Sequence, residues 1–323
     1  MQLSSGQIAV VTGGGAGIGR ELVRQLVAKG CHAAFCDLIQ SNIEETLTLC
    51  AADNPHNATV TGHICDVASE AQARRFLQDV QTEHRTDHIN LLINNAGING
   101  GGSFVQGSRE EWERVFDINW SGVYLMTRTF LPLLLRSAEG HLVNMSSANA
   151  LRAVLGGHVP HTAYSTAKFA VRGFSESLIH DFRYNAPHLG VSVVLPGHTG
   201  TEMIGNSLQI LGHNQPASWD STDIKNARTR WEIAGIDGVQ DMSDEAVRAN
   251  GAKEIQNMRE LGMPPSEAAR IILQGVENKT WRILIGTDTV ALDALVRASP
   301  DTAYDADFVQ RWRSANAELS EEE

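Results

Sequence analysis

Short apolar runs alternate with longer amphipathic segments along this chain, and that alternation limits the folds it can adopt. The runs are rich in Val, Ile and Ala and span five to eight residues. Strands this short and apolar on both faces are typical of a parallel sheet that helices cover on both sides. They lie at residues 8–12, 33–37, 59–66, 89–94, 141–146, 191–196 and 281–286.

The segments between the runs have the periodicity of amphipathic helices. Ser-x-x-Glu or Ser-x-x-Gln patterns at residues 41–44, 69–72 and 108–111 predict capping boxes at three helix starts. Residues 164–184 predict a long helix that ends before Pro187. The order of strands and helices predicts an α/β fold, a doubly wound Rossmann-type parallel sheet with helices on both faces.

We expect one dinucleotide-binding catalytic domain over residues 1–323. The pattern loosens over residues 202–263, which predict a lid or part-helical insertion on the substrate side. Trp219 and Trp231 in this insertion either line an apolar substrate pocket or pack within the insertion. Residues 287–323 form a C-terminal extension, whose charged end we expect to be frayed.

The composition excludes several classes of protein. Hydrophobic residues make up 42% and charged residues 20%, so the chain is neither disordered nor fibrous. A net charge of −12 argues against a nucleic-acid partner, because phosphate binding requires excess Lys and Arg. No apolar run approaches the ~18–20 residues of a membrane span, and no secretory signal is evident. Four cysteines without metal-type spacing are expected to be buried thiols, which favours a cytoplasmic protein.

The glycine-rich turn after the first run is the first candidate site. Residues 13–19 read Gly-Gly-Gly-Ala-Gly-Ile-Gly, between a predicted strand and a predicted helix. Glycines allow a ligand to approach the backbone closely, and a helix start offers free N–H groups to an anion. In this context the turn predicts a site for the pyrophosphate of a dinucleotide, the alternative being a tight turn without a ligand.

Asp37 ends the second predicted strand, about 20 residues after the glycines. A carboxylate there can accept hydrogen bonds from both hydroxyls of the adenosine ribose, and it repels a 2′-phosphate. Residues 13–19 contain no Lys or Arg, although Arg20 follows directly. We therefore predict NAD rather than NADP, while a carboxylate that only caps the next turn is the alternative.

Tyr164 and Lys168 lie one helical turn apart, on the same face of the long predicted helix. A phenol with a pKa near ~10 is a poor base at neutral pH. A nearby ammonium group, or an oxidised nicotinamide, favours the phenolate, which can then accept a proton from an alcohol. Such a pair alone is common on solvated surfaces, so its meaning depends on the other motifs.

With these motifs the chain resembles the short-chain dehydrogenase/reductase family over about residues 6–201, and more loosely over residues 264–286. The Asp-Val pair at 66–67, the Asn-Asn-Ala-Gly segment at 94–97 and the Pro-Gly-His-Thr-Gly-Thr segment at 196–201 extend the resemblance. Together they predict that the cofactor is bound by Gly13, Gly17, Ile18, Gly19, Asp37, Asp66, Val67, Asn95, Ala96, Gly97, Tyr164, Lys168, Pro196, Gly197, Thr199 and Thr201.

The resemblance implies hydride transfer between a secondary alcohol and a ketone, with four catalytic residues. Tyr164 would be the acid/base, and Lys168 would lower its pKa and hold the nicotinamide ribose. Ser147 would orient the substrate oxygen, where charge develops. Asn119 would hold a water in a proton relay. Because the family commonly forms dimers or tetramers, the resemblance also implies a homodimer or homotetramer.

The spacing between the serine and the tyrosine departs from the family. Seventeen positions separate Ser147 from Tyr164, a few more than usual. Either residues 149–161 bulge into the substrate pocket, or the serine is misassigned. Strand parity does not decide, because both faces of a central strand are covered. The motif favours Ser147, with Ser146 as the alternative.

Three histidines lie near the predicted site. His158 and His161 have the spacing H-x-x-H, but no third or fourth ligand is indicated, so we predict no metal site. Loop polarity or a substrate contact is the favoured role for both. His198 follows the Pro-Gly turn and either lines the nicotinamide pocket or belongs to a surface turn.

These observations predict an NAD-dependent alcohol dehydrogenase or ketone reductase. The insertion favours a bulky, apolar, aromatic or steroid-like substrate. One alternative is an NADP-dependent carbonyl reductase, which Asp37 disfavours. Another is a non-catalytic dinucleotide-binding regulator, which the complete set of four catalytic residues disfavours.

Overall fold

The strands of the chain form one parallel sheet. In the computed structural model, which describes residues 1–155 and 160–321, its strand order is β3-β2-β1-β4-β5-β6-β7. The strands are β1 (Ile8–Thr12), β2 (His32–Asp37), β3 (Val60–Ile64), β4 (Leu91–Asn94), β5 (Gly140–Met145), β6 (Leu189–Pro196) and β7 (Arg282–Ile285). The predicted doubly wound α/β fold is confirmed.

Helices cover both faces of this sheet. They are α1 (Gly17–Ala28), α2 (Gln40–Ala52), α3 (Glu70–Glu83), α4 (Arg109–Phe116), α5 (Gly122–Leu134), α6 (Thr162–Asn185), α7 (Met203–Ile210), α8 (Ser221–Ile233), α9 (Asp244–Glu260), α10 (Pro265–Glu277), α11 (Thr287–Ala298) and α12 (Phe308–Glu321). A π-helical turn over Asp117–Ser121 joins α4 to α5. Across the described ranges, every helix is too short or too polar to cross a bilayer.

Alternate strand residues pack against different helices. On β1, Ala9 and Val11 belong to one core, which α1, α2 and α10 complete. Ile8 and Val10 belong to the other core, which α3, α5 and α6 complete. Strand order reverses between β1 and β4, and such a reversal opens a crevice at the carboxyl ends of the strands.

None of the three predicted capping boxes forms in full, and at the first of them the serine does not cap the helix at all. Helix α2 begins at Gln40, so Ser41 lies inside it, and the backbone N–H of Ile39 donates to Asp37 instead. The side chains of Ser69 and Ser108 do cap α3 and α4, each accepting from the backbone N–H three residues later. The acidic or amide side chains expected to reach back to these serines bond elsewhere.

The insertion folds into helices with a small core of their own. Residues on α8 and α9 bury Ile224, Trp231 and Val247 together, and Trp219 packs over Gly251. Both tryptophans therefore pack within the insertion. At the other end of the chain, α11 and α12 cover β6 and β7. The four cysteines, Cys31, Cys36, Cys50 and Cys65, are buried as predicted.

Candidate active site

The glycine-rich loop joins β1 to α1 at the crevice. Gly13 and Gly17 have φ values of 64° and 53°, in the left-handed region that glycine adopts without strain. A Cβ on Gly13 would lie 2.8 Å from Ala96 Cα, so no side chain fits where this loop meets the end of β4. Gly13, Gly17 and Ile18 line the cleft. Gly19 does not, because it packs against Gly13 behind the loop.

Asp37 lies beside the glycine loop at the end of β2 and lines the cleft. Its Oδ2 accepts from Gly15 N at 3.0 Å, and its Oδ1 accepts from Ile39 N at 3.0 Å. Burial raises the pKa of Asp37, while these backbone N–H groups and Arg20 act in the opposite direction. The carboxylate is therefore held in a fixed orientation at the edge of the cleft.

Arg20 is occupied by other partners. Its guanidinium donates to the Gly15 carbonyl at 2.7 Å and 2.9 Å and forms an ion pair with Glu45 at 2.7 Å. A further hydrogen bond joins it to Thr46 at 3.2 Å. These contacts direct the cation towards α2 rather than into the cleft.

The ends of β3 and β4 form the next part of the cleft wall. Thr12 Oγ1 accepts from the backbone N–H groups of Asn95 and Ala96, both at 3.0 Å. Asn95 Nδ2 donates back to the carbonyls of Thr12 and Gly13. These bonds fix the Asn-Asn-Ala-Gly segment against the glycine loop. Asp66, Val67, Asn95, Ala96 and Gly97 all line the cleft.

Tyr164 and Lys168 project from α6 into the far part of the same cleft. Lys168 is 3% exposed, and its Nζ donates to the Met145 carbonyl at 3.0 Å. Burial lowers the pKa of Lys168 to about 8. The ammonium lies 5.4 Å from the centroid of the Tyr164 ring. Burial raises the pKa of Tyr164, and a hydrogen bond from Ser147 lowers it in part.

The two candidate serines have different partners. Ser146 Oγ donates to the Lys168 carbonyl at 2.8 Å, so this hydroxyl ties β5 to α6. Ser147 Oγ accepts from Asn149 N at 3.1 Å, and the Ser147 side chain lowers the pKa of Tyr164 in part. Both serines line the cleft, but of the two it is Ser147 that affects the pKa of the tyrosine.

Asn119 lies in the π-helical turn between α4 and α5, a type of turn that is frequent at functional sites. Its Nδ2 donates to the carbonyls of Ile98 and Val115 at 2.8 Å and 2.9 Å. Its Oδ1 is buried and accepts no hydrogen bond from the described residues. A Cβ on Gly97 would lie 2.7 Å from this oxygen and 3.3 Å from Lys168 Nζ. Asn119 and Lys168 therefore approach the same point.

The turn after β6 closes the cleft. Pro196, Gly197, Thr199 and Thr201 line it. His198 is exposed instead: its N–H donates to Asp288, and its ring bonds to the Met258 carbonyl at 2.7 Å. This histidine belongs to a surface turn, the second of its two alternatives.

The two histidines of the H-x-x-H pair differ in that the structure describes only one of them. His161 is half-buried at the start of α6, where burial lowers its pKa, and His158 lies outside the described residues. Over residues 1–155 and 160–321 no cluster of three or more His, Cys, Asp and Glu could hold a metal ion.

Several cleft residues are absent from the sequence predictions. They are Ala16, Leu38, Ile39, Cys65, Ile98, Ile118, Met145, Glu202, Met203, Asn206 and Ile210. Three of them, Met203, Asn206 and Ile210, lie at positions i, i+3 and i+7 of α7 and so share one helix face. The helical spacing of these three residues could have indicated that they line a common site. The surrounding sequence, however, showed no strand or helix boundary from which α7 could be placed.

Comparisons with known proteins agree with this geometry. Residues 7–210 match the family described as short chain dehydrogenase. SadH, a proposed oxidoreductase of Mycobacterium tuberculosis, is 30% identical over 297 residues, which cover 92% of each chain. Human epidermal retinol dehydrogenase 2 is 31% identical over 201 residues, 62% of each chain.

The fold has a close structural counterpart as well. A short chain dehydrogenase/reductase from Burkholderia phymatum, solved in complex with NAD, covers 93% of this chain and 96% of its own with a TM-score of 0.71. The two sequences are 22% identical, so this likeness concerns the fold.

Proposed function

Because this chain belongs to the short-chain dehydrogenase/reductase family and is an oxidoreductase of that family, we propose that it interconverts a secondary alcohol and a ketone with NAD. The observation that carries the proposal is that Tyr164, Lys168 and Ser147 line one cleft, while Asn119 is buried beside Gly97 of its wall. Tyr164 and Lys168 come from α6, Ser147 from the end of β5, and Asn119 from the π-helical turn.

The residues around the cleft fit a nicotinamide dinucleotide. The glycine loop leaves free backbone N–H groups at the start of α1, where a pyrophosphate binds favourably. Asp37 would hold the adenosine ribose, and Thr199 and Thr201 also line the cleft. When bound, the nicotinamide supplies or accepts the hydride. The protein contributes the orientation of the substrate and the movement of its proton.

The choice of NAD over NADP rests on Asp37 and Arg20. Enzymes of this family use NAD or NADP. The Asp37 carboxylate is fixed by two backbone N–H groups at the position where a 2′-phosphate would sit, and the like charges repel. Arg20, the nearest cation to the loop, is paired with Glu45 and is not free to bind that phosphate.

Tyr164 is proposed as the group that exchanges a proton with the substrate oxygen. In alcohol oxidation its oxygen would accept the hydroxyl proton, and in ketone reduction it would donate one. Burial raises the pKa of Tyr164 and so works against the phenolate. The Ser147 hydrogen bond and the buried Lys168 ammonium, which favour the phenolate, would offset burial. Ser147 would donate to the substrate oxygen as negative charge develops there.

Asn119 is proposed to connect this site to solvent. A buried carbonyl oxygen without a hydrogen bond is unfavourable, and a bound water would satisfy it. Because Asn119 Oδ1 and Lys168 Nζ approach the same point beside Gly97, one water could bond to both. Protons would then pass between Tyr164, Lys168 and that water.

The substrate is proposed to be bulky and apolar. Ile98, Met203 and Ile210 line the cleft, and the two latter residues lie on α7 at the start of the insertion. We propose that residues 202–263 act as a lid over this side of the cleft. One relative of the chain is a retinol dehydrogenase, and retinol is a bulky apolar alcohol.

We also propose a cytoplasmic homodimer or homotetramer. Helices α5 and α6 carry aromatic side chains that are largely exposed in a single chain, among them Tyr124 and Phe169. A second copy of the chain would cover them.

The proposal is tested by following NADH absorbance with a panel of secondary alcohols and ketones, with NADP in parallel. We expect turnover of bulky apolar alcohols with NAD, and kcat/KM for NAD at least about tenfold above that for NADP, equivalent to ~1.4 kcal/mol. Turnover confined to small hydroxy acids would contradict the substrate class. A preference for NADP would contradict the role of Asp37.

A further inference from the structure

The C-terminal extension contacts the segment that carries Ser147. We call residues 147–153 the serine segment. Arg152, within it, is 6% exposed, and its Nε donates to the carbonyl of Ala303 in the extension. The guanidinium carbon lies 5.1 Å from the centroid of the Tyr304 ring and 4.7 Å from that of Phe308. Two aromatic rings and a carbonyl thus hold one side chain.

A second bond joins the same two parts of the chain. The backbone N–H of Ala153 donates to Tyr304 Oη at 3.0 Å. Phe308 is fully buried where the extension meets β6, so one of the two rings that hold Arg152 is anchored in the protein core. Two consecutive residues of the serine segment are therefore attached to one site on the extension.

A hydrogen-bond network leads from this attachment to the catalytic hydroxyls. Asn149 Nδ2 donates to the Ala153 carbonyl at 3.2 Å and to Ser165 Oγ at 3.1 Å. Ser165 Oγ donates to the same Ala153 carbonyl at 2.6 Å. Asn149 N in turn donates to Ser147 Oγ. A displacement of Ala153 would therefore reach Ser147 through Asn149, and Tyr164 through its neighbour Ser165.

The chemistry of Arg152 argues against a purely structural role. Within the described ranges it forms no ion pair with a carboxylate. Burying a cation without such a partner is unfavourable, and apolar side chains would join the same elements more favourably. A guanidinium, by contrast, holds its partners in one orientation, because its planar set of N–H donors and its stacking on aromatic rings each require a defined geometry.

We propose that Arg152 is a positioning residue, through which the C-terminal extension holds Ser147 in place for the reaction. The role builds on the proposed function of the cleft. Ala303, which accepts from Arg152, lies 151 residues away from it in sequence.

The test combines two variants with one control, each in the wild-type and the Ser147→Ala backgrounds. Arg152→Met keeps a long side chain between the rings but removes the hydrogen bond. Tyr304→Phe removes only a hydroxyl from a ring that is 63% exposed, so the fold is retained. The control is Arg311→Met, because Arg311 lies 5.3 Å from the same Phe308 ring without touching the serine segment.

In the wild-type background we expect Arg152→Met to lower kcat by about 10- to 100-fold, as small misplacements do. Tyr304→Phe should lower kcat by about 2- to 10-fold, and Arg311→Met should leave it unchanged. In the Ser147→Ala background the first two losses should shrink to less than about twofold, since residues acting through one another are not additive. The dissociation constant of NADH should not change.

Hydrogen exchange provides a second readout that does not require turnover. Amides of residues 147–153 should exchange faster in Arg152→Met than in Arg311→Met. Equal losses of kcat in both backgrounds, or unchanged exchange of these amides, would overturn the positioning role. If the wild-type protein turned over no alcohol or ketone, the proposed function would fall, and the exchange measurement would still decide for or against the positioning role.

Discussion

Replacing Lys168 by Met should stabilise the protein while removing its activity. Lys168 is 3% exposed, and burial lowers its pKa from 10.5 to about 8. At neutral pH the side chain is thus charged inside the protein, which is unfavourable relative to water. Met has a similar length without the charge, and it adapts well to irregular space in a core.

The size of the effect follows from the pKa. A pKa lowered from 10.5 to about 8 corresponds, at about 1.36 kcal/mol per pKa unit, to ~3 kcal/mol of unfolding free energy lost below pH 8. The variant also loses the hydrogen bond to the Met145 carbonyl, worth about 1 kcal/mol. We therefore expect Lys168→Met to be about 2 kcal/mol more stable at pH 7.

The pKa of Lys168 in the folded and unfolded states determines how the stability difference between the variant and the wild type changes with pH. Between pH 8 and pH 10.5 the folded state releases the Lys168 proton while the unfolded state retains it, so the wild-type protein gains stability as the pH rises. The advantage of the variant should therefore be full at pH 7, smaller at pH 9 and absent above about pH 10.5. Groups that titrate in both proteins cancel in the difference.

Urea denaturation without cofactor at three pH values measures this difference. Lys29→Met is the matched control, because Lys29 is 40% exposed and pairs with Glu277 at the surface. Its stability should change by less than about 0.5 kcal/mol. A Lys168→Met variant that is less stable than the wild type at pH 7, or a difference independent of pH, would refute the reasoning.

Four further substitutions separate the roles assigned to the cleft. Asp37→Ser should lower the ratio of NAD to NADP affinity by about tenfold, and binding titrations that show an unchanged ratio would contradict the role of the carboxylate. Ser147→Ala should lower kcat by about 100-fold. Ser146→Ala should mainly lower the free energy of unfolding, by about 1 kcal/mol. If kinetics and denaturation showed the reverse pattern, the assignments of the two serines would be exchanged. Ile210→Asp should raise KM for apolar alcohols, and an unchanged KM would place the substrate elsewhere.

Local patterns predicted the sheet because each strand is specified by its own residues. The strand and the helix at the two ends of the glycine loop, and the turn between them, required no information from distant parts of the chain. The same holds for Tyr164 and Lys168, since helical geometry alone places residues at i and i+4 on one face.

Predictions failed where a backbone or side-chain group formed its hydrogen bond with a partner other than the one that the local pattern indicated. Ser41 matched a capping box, but Asp37 accepts from Ile39 N and lets α2 begin earlier. Strand parity did not separate Ser146 from Ser147, and it is the Lys168 carbonyl that distinguishes them by accepting from Ser146. The local sequence offered Asp37 as a cap for the turn after β2, but it did not indicate the partner of Ser146.

Local sequence patterns also did not predict the contact between the C-terminal extension and the serine segment. Arg152 contacts Ala303, Tyr304 and Phe308, and no periodicity of either segment indicates the other. The π-helical turn at Asn119 is a similar case, because its residues read as an uninterrupted helix between α4 and α5. Both features depend on tertiary packing.

The central claim, that Tyr164 moves the proton of the substrate, is tested most directly by Tyr164→Phe, which removes one oxygen and keeps the ring. Steady-state turnover and NADH binding by fluorescence are measured on the same preparation. We expect kcat to fall by about 1,000-fold with an NADH dissociation constant within about twofold of the wild type. Turnover that survives within about tenfold of the wild type would contradict the claim.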